Sequence, residues 1–216
     1  MNSRSKSVSA RGAGRRARRS EDRRLEILRA ASLAFRRRGY AGAGMREIAA
    51  EAELSPANLY HYFKGKPEIL YFCQDRWLDR MESETRRAAR SAGPVLPRLH
   101  AVLRAHVLCL LDERGGSAAH LETDDLPPRL RARLVARRDR YERALRRLVA
   151  AGVRRGELAP CDPGLVTRAI LGALNWTARW FRPDGAQTPE ALADGLAGYL
   201  VRGLDRHPAR NGSGRV

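Results

Sequence analysis

Lysine is almost missing from this chain: Lys6, Lys64 and Lys66 stand among 42 Lys+Arg, so arginine carries nearly all of the positive charge. Cysteine is also sparse. Cys73, Cys109 and Cys161 are odd in number and far apart, which provides no close pair for structural zinc or a redox dithiol and reads as reduced, mostly buried thiols. No apolar run approaches the roughly 20 residues of a membrane span. The opening MNSRSKSVSARGAGRRARRS is basic and has no apolar stretch of the kind a secretory signal carries, so a cytoplasmic location is expected. HExxH, GxSxG, the Walker A loop and a strand-borne GxGxxG are all missing, and no run alternates as strands do. An enzyme therefore has little support, and no cofactor or catalytic metal is expected.

What the chain has is positive charge. Its 216 residues hold 24 Asp+Glu against the 42 basic residues, a formal net charge of +18. Such a surplus favours polyanionic partners. Charge alone does not separate DNA from RNA or an anionic membrane surface, and an arginine bias also follows genome composition. The distribution is more specific. Up to Lys66 there are 16 basic and 6 acidic residues, making this the denser basic region.

Residues 1–19 show no hydrophobic periodicity and carry Arg15, Arg16, Arg18 and Arg19, so they are expected to form a disordered basic arm. Ser20 followed by Glu21 and Asp22 reads as a helix start. Leu25, Leu28, Ala31 or Ser32, and Phe35 recur at helical spacing, and Gly39 ends that helix. In MREIAAEAELSPANLYHYFKGKPEIL (Met45 to Leu70), Met45, Ile48, Ala49 and Ala52 mark the inner face of a short helix. Glu53 and Leu54 make a tight connection, and Ser55 then caps a second helix that has Pro56 in its first turn. Two short helices joined by such a turn form a helix-turn-helix. Leu59 and Phe63 anchor the second helix, leaving Ala57, Asn58, Tyr60, His61 and Tyr62 on or near its exposed side.

Beyond Lys66, amphipathic helices are expected at roughly 67–90, 94–113, 128–154, 163–181 and 189–205, separated by Pro and Gly breaks. The fold class is all-α. A helix-turn-helix domain over 20–66 precedes a larger helical domain over 67–206, with a flexible tail from 207 to 216.

The segment from Gly39-Tyr40 through MREIAAEAELSPANLYHYFKGKPEIL resembles the DNA-binding domain of the TetR family of bacterial regulators. The likeness rests on its Ile-Ala pair, the turn Ser, the Leu-Tyr-x-x-Phe core and the Lys three residues after that Phe. The resemblance implies an Ω-shaped homodimer whose three N-terminal helices bind operator DNA and whose C-terminal domain binds an effector and dimerises. By position, Ser55, Asn58, Tyr60, His61, Tyr62 and Lys66 map to DNA-contacting places. Two residues depart from the family pattern: Ala43-Gly44 replaces a Thr-Thr that would cap and donate to phosphate, and Glu53 replaces the turn Gly.

Chemistry supports these assignments independently. Ser55, Tyr60 and Lys66 suit phosphate contacts that fix register. Asn58 can offer a donor and an acceptor to adenine, and His61 or Tyr62 can reach base edges or pack locally. The arginines of the arm suit a minor groove.

In the C-terminal domain, ALNWTARWFRP resembles the corresponding helix of TetR-family members that sense acyl-CoA thioesters and lipid or steroid catabolism. Trp77, His106, Tyr141, Asn175, Trp176, Arg179 and Trp180 are the effector-binding candidates. For Trp176, Trp180 and Phe181, packing in the core or dimer interface competes with a pocket wall. The helices over 163–181 and 189–205 carry Gly172, Ala173, Ala193, Gly195, Ala197 and Gly198, small residues suited to a four-helix dimer bundle. Eleven arginines between Arg129 and Arg155 suit CoA phosphates or form a solvated face. His100 and His106 share no helical face for a metal. His120 with Glu122, Asp124 and Asp125 is a weak metal group. A ligand-responsive repressor at a palindromic operator is the expected function, and a ligand-independent architectural DNA binder is the alternative.

Overall fold

The structure, a computed structural model, describes residues 3–112 and 125–206. Among these it contains eight helices: α1 (Ser3–Gly42), α2 (Met45–Glu51), α3 (Pro56–Tyr62), α4 (Lys66–Arg90), α5 (Val95–Leu111), α6 (Pro128–Arg154), α7 (Pro163–Trp180) and α8 (Pro189–Arg202). The only strand-like feature of the described residues is an isolated bridge between Leu158 and Asp205. No helix among them is long and apolar enough to cross a membrane. The all-helical class and the order of the helices match the reading from periodicity. The tail from 207 onward and most of the weak metal group, His120, Glu122 and Asp124, lie outside the described residues.

Helix starts follow local chemistry. Pro56, Pro67, Pro128, Pro163 and Pro189 occupy first turns, where a missing N–H costs nothing. Three of these helices add a side-chain cap. Ser55 Oγ accepts from the Asn58 N–H at 3.2 Å, the Asp162 carboxylate from the Gly164 N–H at 2.7 Å, and Thr188 Oγ1 from the Ala191 N–H at 3.2 Å. Gly44 precedes α2 without any side-chain cap, as its departure from the family pattern implies.

The first helix differs from expectation. Residues 3–19 are helical and continuous with α1, and Ser20 lies inside the helix instead of capping it. Arginine and alanine are good helix formers, and extending an existing helix needs no new nucleus even where the sequence has no apolar periodicity. At the other end Gly39 breaks the helix at φ 69°, ψ 171°, a conformation that only glycine adopts without strain.

Two buried clusters meet along α4. The first joins Ile27, Leu28 and Phe35 of α1 to Ile48, Leu59 and Phe63, and it continues through Leu70, Trp77 and Met81 to Cys109, Leu134 and Tyr141. The second fills the space between α5, α6, α7 and α8 with Leu99, Leu103, Leu145, Val149, Leu174 and Ala197. Each large side chain buried in this way contributes about 1.5–3 kcal/mol. One close approach requires glycine, because a Cβ on Gly152 would stand 2.6 Å from the Leu158 side chain. Cys73 and Cys109 are buried, and that burial pushes both thiols up to about 12.

Because the first cluster runs without interruption from the three N-terminal helices into α5 and α6, the helix-turn-helix is packed directly onto the C-terminal helices. Ion pairs add to this junction. Arg76 of α4 meets Glu21 of α1 at 3.4 Å. Arg137 of α6 reaches Asp75, Asp79 and Glu82 of α4 at 2.6, 2.7 and 3.2 Å. Burial opposes the charge of Arg137, but its bonds to Asp75, Glu82 and Asp79 outweigh that and raise its pKa.

Candidate functional site

The helix-turn-helix is built on α2 and α3. Ile48 and Ala49 face inward from α2, and Leu59 with Phe63 faces inward from α3. The Phe63 ring lies 5.4 Å from that of Phe72, and the Arg24 guanidinium covers both at 4.8 and 5.0 Å. The connecting turn is closed by the Leu54 N–H on the Ala49 carbonyl at 2.8 Å. Glu53 occupies that turn at φ 52°, the left-handed region that glycine would enter freely.

With the inner face fixed, Ser55, Asn58, Tyr60 and His61 are exposed on one surface of α3, while Tyr62 is half-buried against the core. The Ser55 hydroxyl is already engaged as the α3 cap. Lys66 has more to do than the pattern suggested. Its Nζ donates to the carbonyls of Tyr40 and Ala41 at 2.5 and 3.2 Å and lies 4.3 Å from the centre of the Tyr40 ring. It thereby ties the start of α4 to the carbonyl end of α1, where a cation is favoured by the helix dipole. At the base of α2, Arg37 pairs with Glu51 and Arg38 with Glu47, each at 3.1 Å. Arg15, Arg18 and Arg19 are exposed on the basic turns of α1, which also include Arg16.

Four of the seven effector candidates come together from four helices. Trp77 (α4), His106 (α5), Tyr141 (α6) and Asn175 (α7) surround one cavity of about 190 Å³, which Arg138, Asp139, Glu142 and Leu171 also line. His106 Nε2 stands 3.0 Å from Asn175 Oδ1, and Nδ1 stands 2.9 Å from the Tyr141 hydroxyl. Burial lowers the His106 pKa to about 4 despite the Asn175 bond, and burial likewise raises that of Tyr141. The imidazole is therefore neutral at physiological pH. A carbonyl oxygen can only accept, so Nε2–H donates to Asn175 and Nδ1 accepts from the Tyr141 O–H. Trp77 closes one side, its ring edge-on to His106 at 5.0 Å and to Tyr141 at 5.8 Å.

Trp176, Arg179 and Trp180 lie elsewhere, exposed on the outer face of α7. Neighbouring helical positions are about 100° apart, so Asn175 and Trp176 cannot face the same cavity. Trp176 and Trp180 are 63% and 47% exposed, Leu165 is 62% exposed, and Tyr199 on α8 is 70% exposed. Together they give α7 and α8 an apolar outer surface. Sequence reasoning did not single out Leu171 as a lining residue or separate Arg138 from the other arginines. Their spacing of four residues from Asn175 and three from Tyr141 was the signal.

The arginines of α6 divide as well. Arg137 is a strut to α4, and Arg138 donates to Gln74 at 2.6 Å, burial lowering its pKa. Arg129, Arg133, Arg143, Arg147 and Arg154 face outward. Among the described residues no group of three His, Cys, Asp or Glu side chains is arranged to hold a metal.

Known proteins resemble this chain in sequence and fold. FasR of Mycolicibacterium smegmatis, an HTH-type transcriptional activator, is 29% identical over 191 residues, covering 87% of this chain and 85% of its own. KstR2 of Mycobacterium tuberculosis, an HTH-type transcriptional repressor, is 25% identical over 187 residues, covering 85% and 94%. The solved structure of AibR in complex with isovaleryl coenzyme A and operator DNA superposes with a TM-score of 0.70 at 32% identity, covering 83% of this chain and 98% of that one. Residues 27–71 match the family model described as "Bacterial regulatory proteins, tetR family", and residues 92–204 match "Tetracyclin repressor-like, C-terminal domain". With its helix-turn-helix and its larger helical domain both accounted for, this chain belongs to the TetR family of DNA-binding transcriptional regulators.

Proposed function

We propose that the chain is a homodimeric, effector-responsive repressor whose two α3 helices read an inverted-repeat operator and let go when a small hydrophobic acyl thioester enters the cavity between α4, α5, α6 and α7. The observation that carries this reading is the shared packing of Trp77. Its ring lines the cavity and belongs to the same buried cluster as Phe35, Leu59 and Phe63. A ligand that presses on Trp77 thus pushes on the core supporting α3, and a close-packed core transmits such a shift.

On the DNA side, exposed Asn58 and His61 are the proposed base readers, with Tyr60, the Ser55 turn and Lys66 on phosphates. Tyr62 contributes mainly by holding α3 in its seat. Arg15, Arg16, Arg18 and Arg19 add contacts beyond the helix-turn-helix, made from a basic helical extension. On the effector side, Trp77, His106, Tyr141 and Asn175 hold the acyl group, and outward arginines of α6 serve the CoA phosphates. The apolar surface of α7 and α8, with Trp176, Trp180 and Tyr199, forms the dimer contact, because exposed aromatics gathered on one face mark protein interfaces.

The effector reading draws on AibR, a similar protein whose solved structure holds isovaleryl coenzyme A and operator DNA. The test is footprinting on the DNA flanking the gene with purified protein, followed by titration with acyl-CoA thioesters. A discrete palindromic footprint lost on adding thioester is expected. Uniform coating without a site would instead indicate an architectural DNA binder, and a footprint strengthened by thioester would reverse the sign of regulation.

A further inference from the structure

The effector cavity is small, and polar side chains make up most of its lining. At about 190 Å³ it exceeds a dry cavity of roughly 150 Å³ that holds a benzene ring, so it takes one ring or a branched acyl group of about four to seven carbons. A palmitoyl chain or a four-ring nucleus is larger than this space. Its polar residues sharpen the chemistry. Tyr141 donates its proton to His106, and His106 donates to Asn175 Oδ1, which leaves the Asn175 amide N–H₂ as a donor at the lining. A donor set against Trp77 and Leu171 suits a carbonyl oxygen attached to an apolar group. A free carboxylate fits less well, since Asp139 and Glu142 also line the cavity and Arg138 is the one arginine of that lining.

Trp77 has a second neighbour. Besides the effector cavity it lines a separate one of about 350 Å³ beneath α1, with Leu25, Leu28, Arg76 and Cys109. Trp77 is the one residue common to both linings, and its indole stands edge-on to His106 and Tyr141.

Building on the effector reading above, we propose that the buried part of the effector is a short branched-chain or single-ring acyl group, that Asn175 receives its thioester carbonyl, and that Trp77 sets its length limit by walling off the α1 cavity.

Isothermal titration of the full-length protein with acetyl-, isovaleryl-, benzoyl-, octanoyl- and palmitoyl-CoA tests this. Affinity is expected to peak at isovaleryl or benzoyl and to fall at least tenfold at palmitoyl. The thioether analogue of isovaleryl-CoA, which replaces the carbonyl by CH₂, is expected to bind at least tenfold more weakly than the thioester. Trp77→Leu, checked by its melting curve, should move the optimum towards octanoyl or longer. A palmitoyl optimum in the unmodified protein overturns the size limit, and equal binding of thioether and thioester overturns the carbonyl role. A folded Trp77→Leu protein with an unmoved optimum overturns the partition. Should that variant not fold, the series on the unmodified protein still decides the size and carbonyl claims. Binding by no thioester at all overturns the effector reading itself, a result distinct from the other three.

Discussion

His106 and Tyr141 form a buried, uncharged pair across α5 and α6, with Nδ1 of one 2.9 Å from the hydroxyl of the other. The neutrality of this pair has a consequence for stability. Well above pH 6.5 the imidazole is unprotonated whether the chain is folded or not, so it adds no pH dependence there. Between pH 6.5 and about 4 the unfolded chain takes up a proton that the buried ring refuses. Stability therefore falls as pH drops through that window, by at most about 1.4 kcal/mol per pH unit, and the contribution levels off below it. Urea unfolding from pH 7.5 to 4.5 should show a shallower decline for His106→Gln than for the parent. Equal slopes would remove His106 from the account.

Glu53 holds a left-handed conformation in the turn before α3. Replacing it with glycine relieves about 1–2 kcal/mol of strain and gives back part of that through the more flexible unfolded chain. The expected outcome for Glu53→Gly is a gain of about 0.5–1 kcal/mol, or roughly 2 °C in Tm for a chain of this size. Calorimetry would show it. A lower Tm would mean that the Glu53 side chain has a stabilising partner in solution.

Lys66 directs two of its three N–H groups to Tyr40 and Ala41, and the proposed DNA contact falls to the third. Two measurements separate these roles. Lys66→Ala should lose about 1.5–3 kcal/mol of stability through charged hydrogen bonds to the carbonyl end of α1. It should also reduce the slope of log Kobs against log salt by about 1, measured by fluorescence anisotropy. An unchanged slope beside a lowered Tm would leave Lys66 as a structural pin alone.

Removing residues 1–19 takes away seven basic side chains, among them Arg15, Arg16, Arg18 and Arg19. If two of them meet phosphates, the salt slope falls by about 2. The weakening should be similar for operator and random DNA, since phosphate contacts carry no sequence. A truncated protein that binds as the intact one does would show that the extension has no share in binding.

Trp176 stands 63% exposed beside Trp180 on α7. A charge placed there would be buried without a partner in a dimer, a cost of several kcal/mol. Trp176→Glu should run as a monomer in light scattering while keeping its helical circular dichroism, and should lose most of its operator affinity. A dimer of normal mass would put the interface on another surface.

Much of the DNA-reading module was legible because its signals are local. Gly39, the Ser55-Pro56 start and the Leu59–Phe63 pair each act within a few residues, so caps, breaks and inner faces follow from short-range chemistry. The long helices were readable for the same reason, with proline in the first turns of four of them. The basic extension misled, since a stretch with no core to bury still propagates a helix that has already begun.

Sequence alone therefore determined the helix order, the family and the exposed side of α3, all of which depend on spacing along a single chain. Only the tertiary structure decided which side of α7 faces inward, because that helix is apolar over so wide an arc that Asn175 and Trp176 were equally eligible. It also separated Arg137, clasped by Asp75, Asp79 and Glu82, from arginines left to solvent. Partners that meet across four helices are set by packing, and packing has no period to read along the chain.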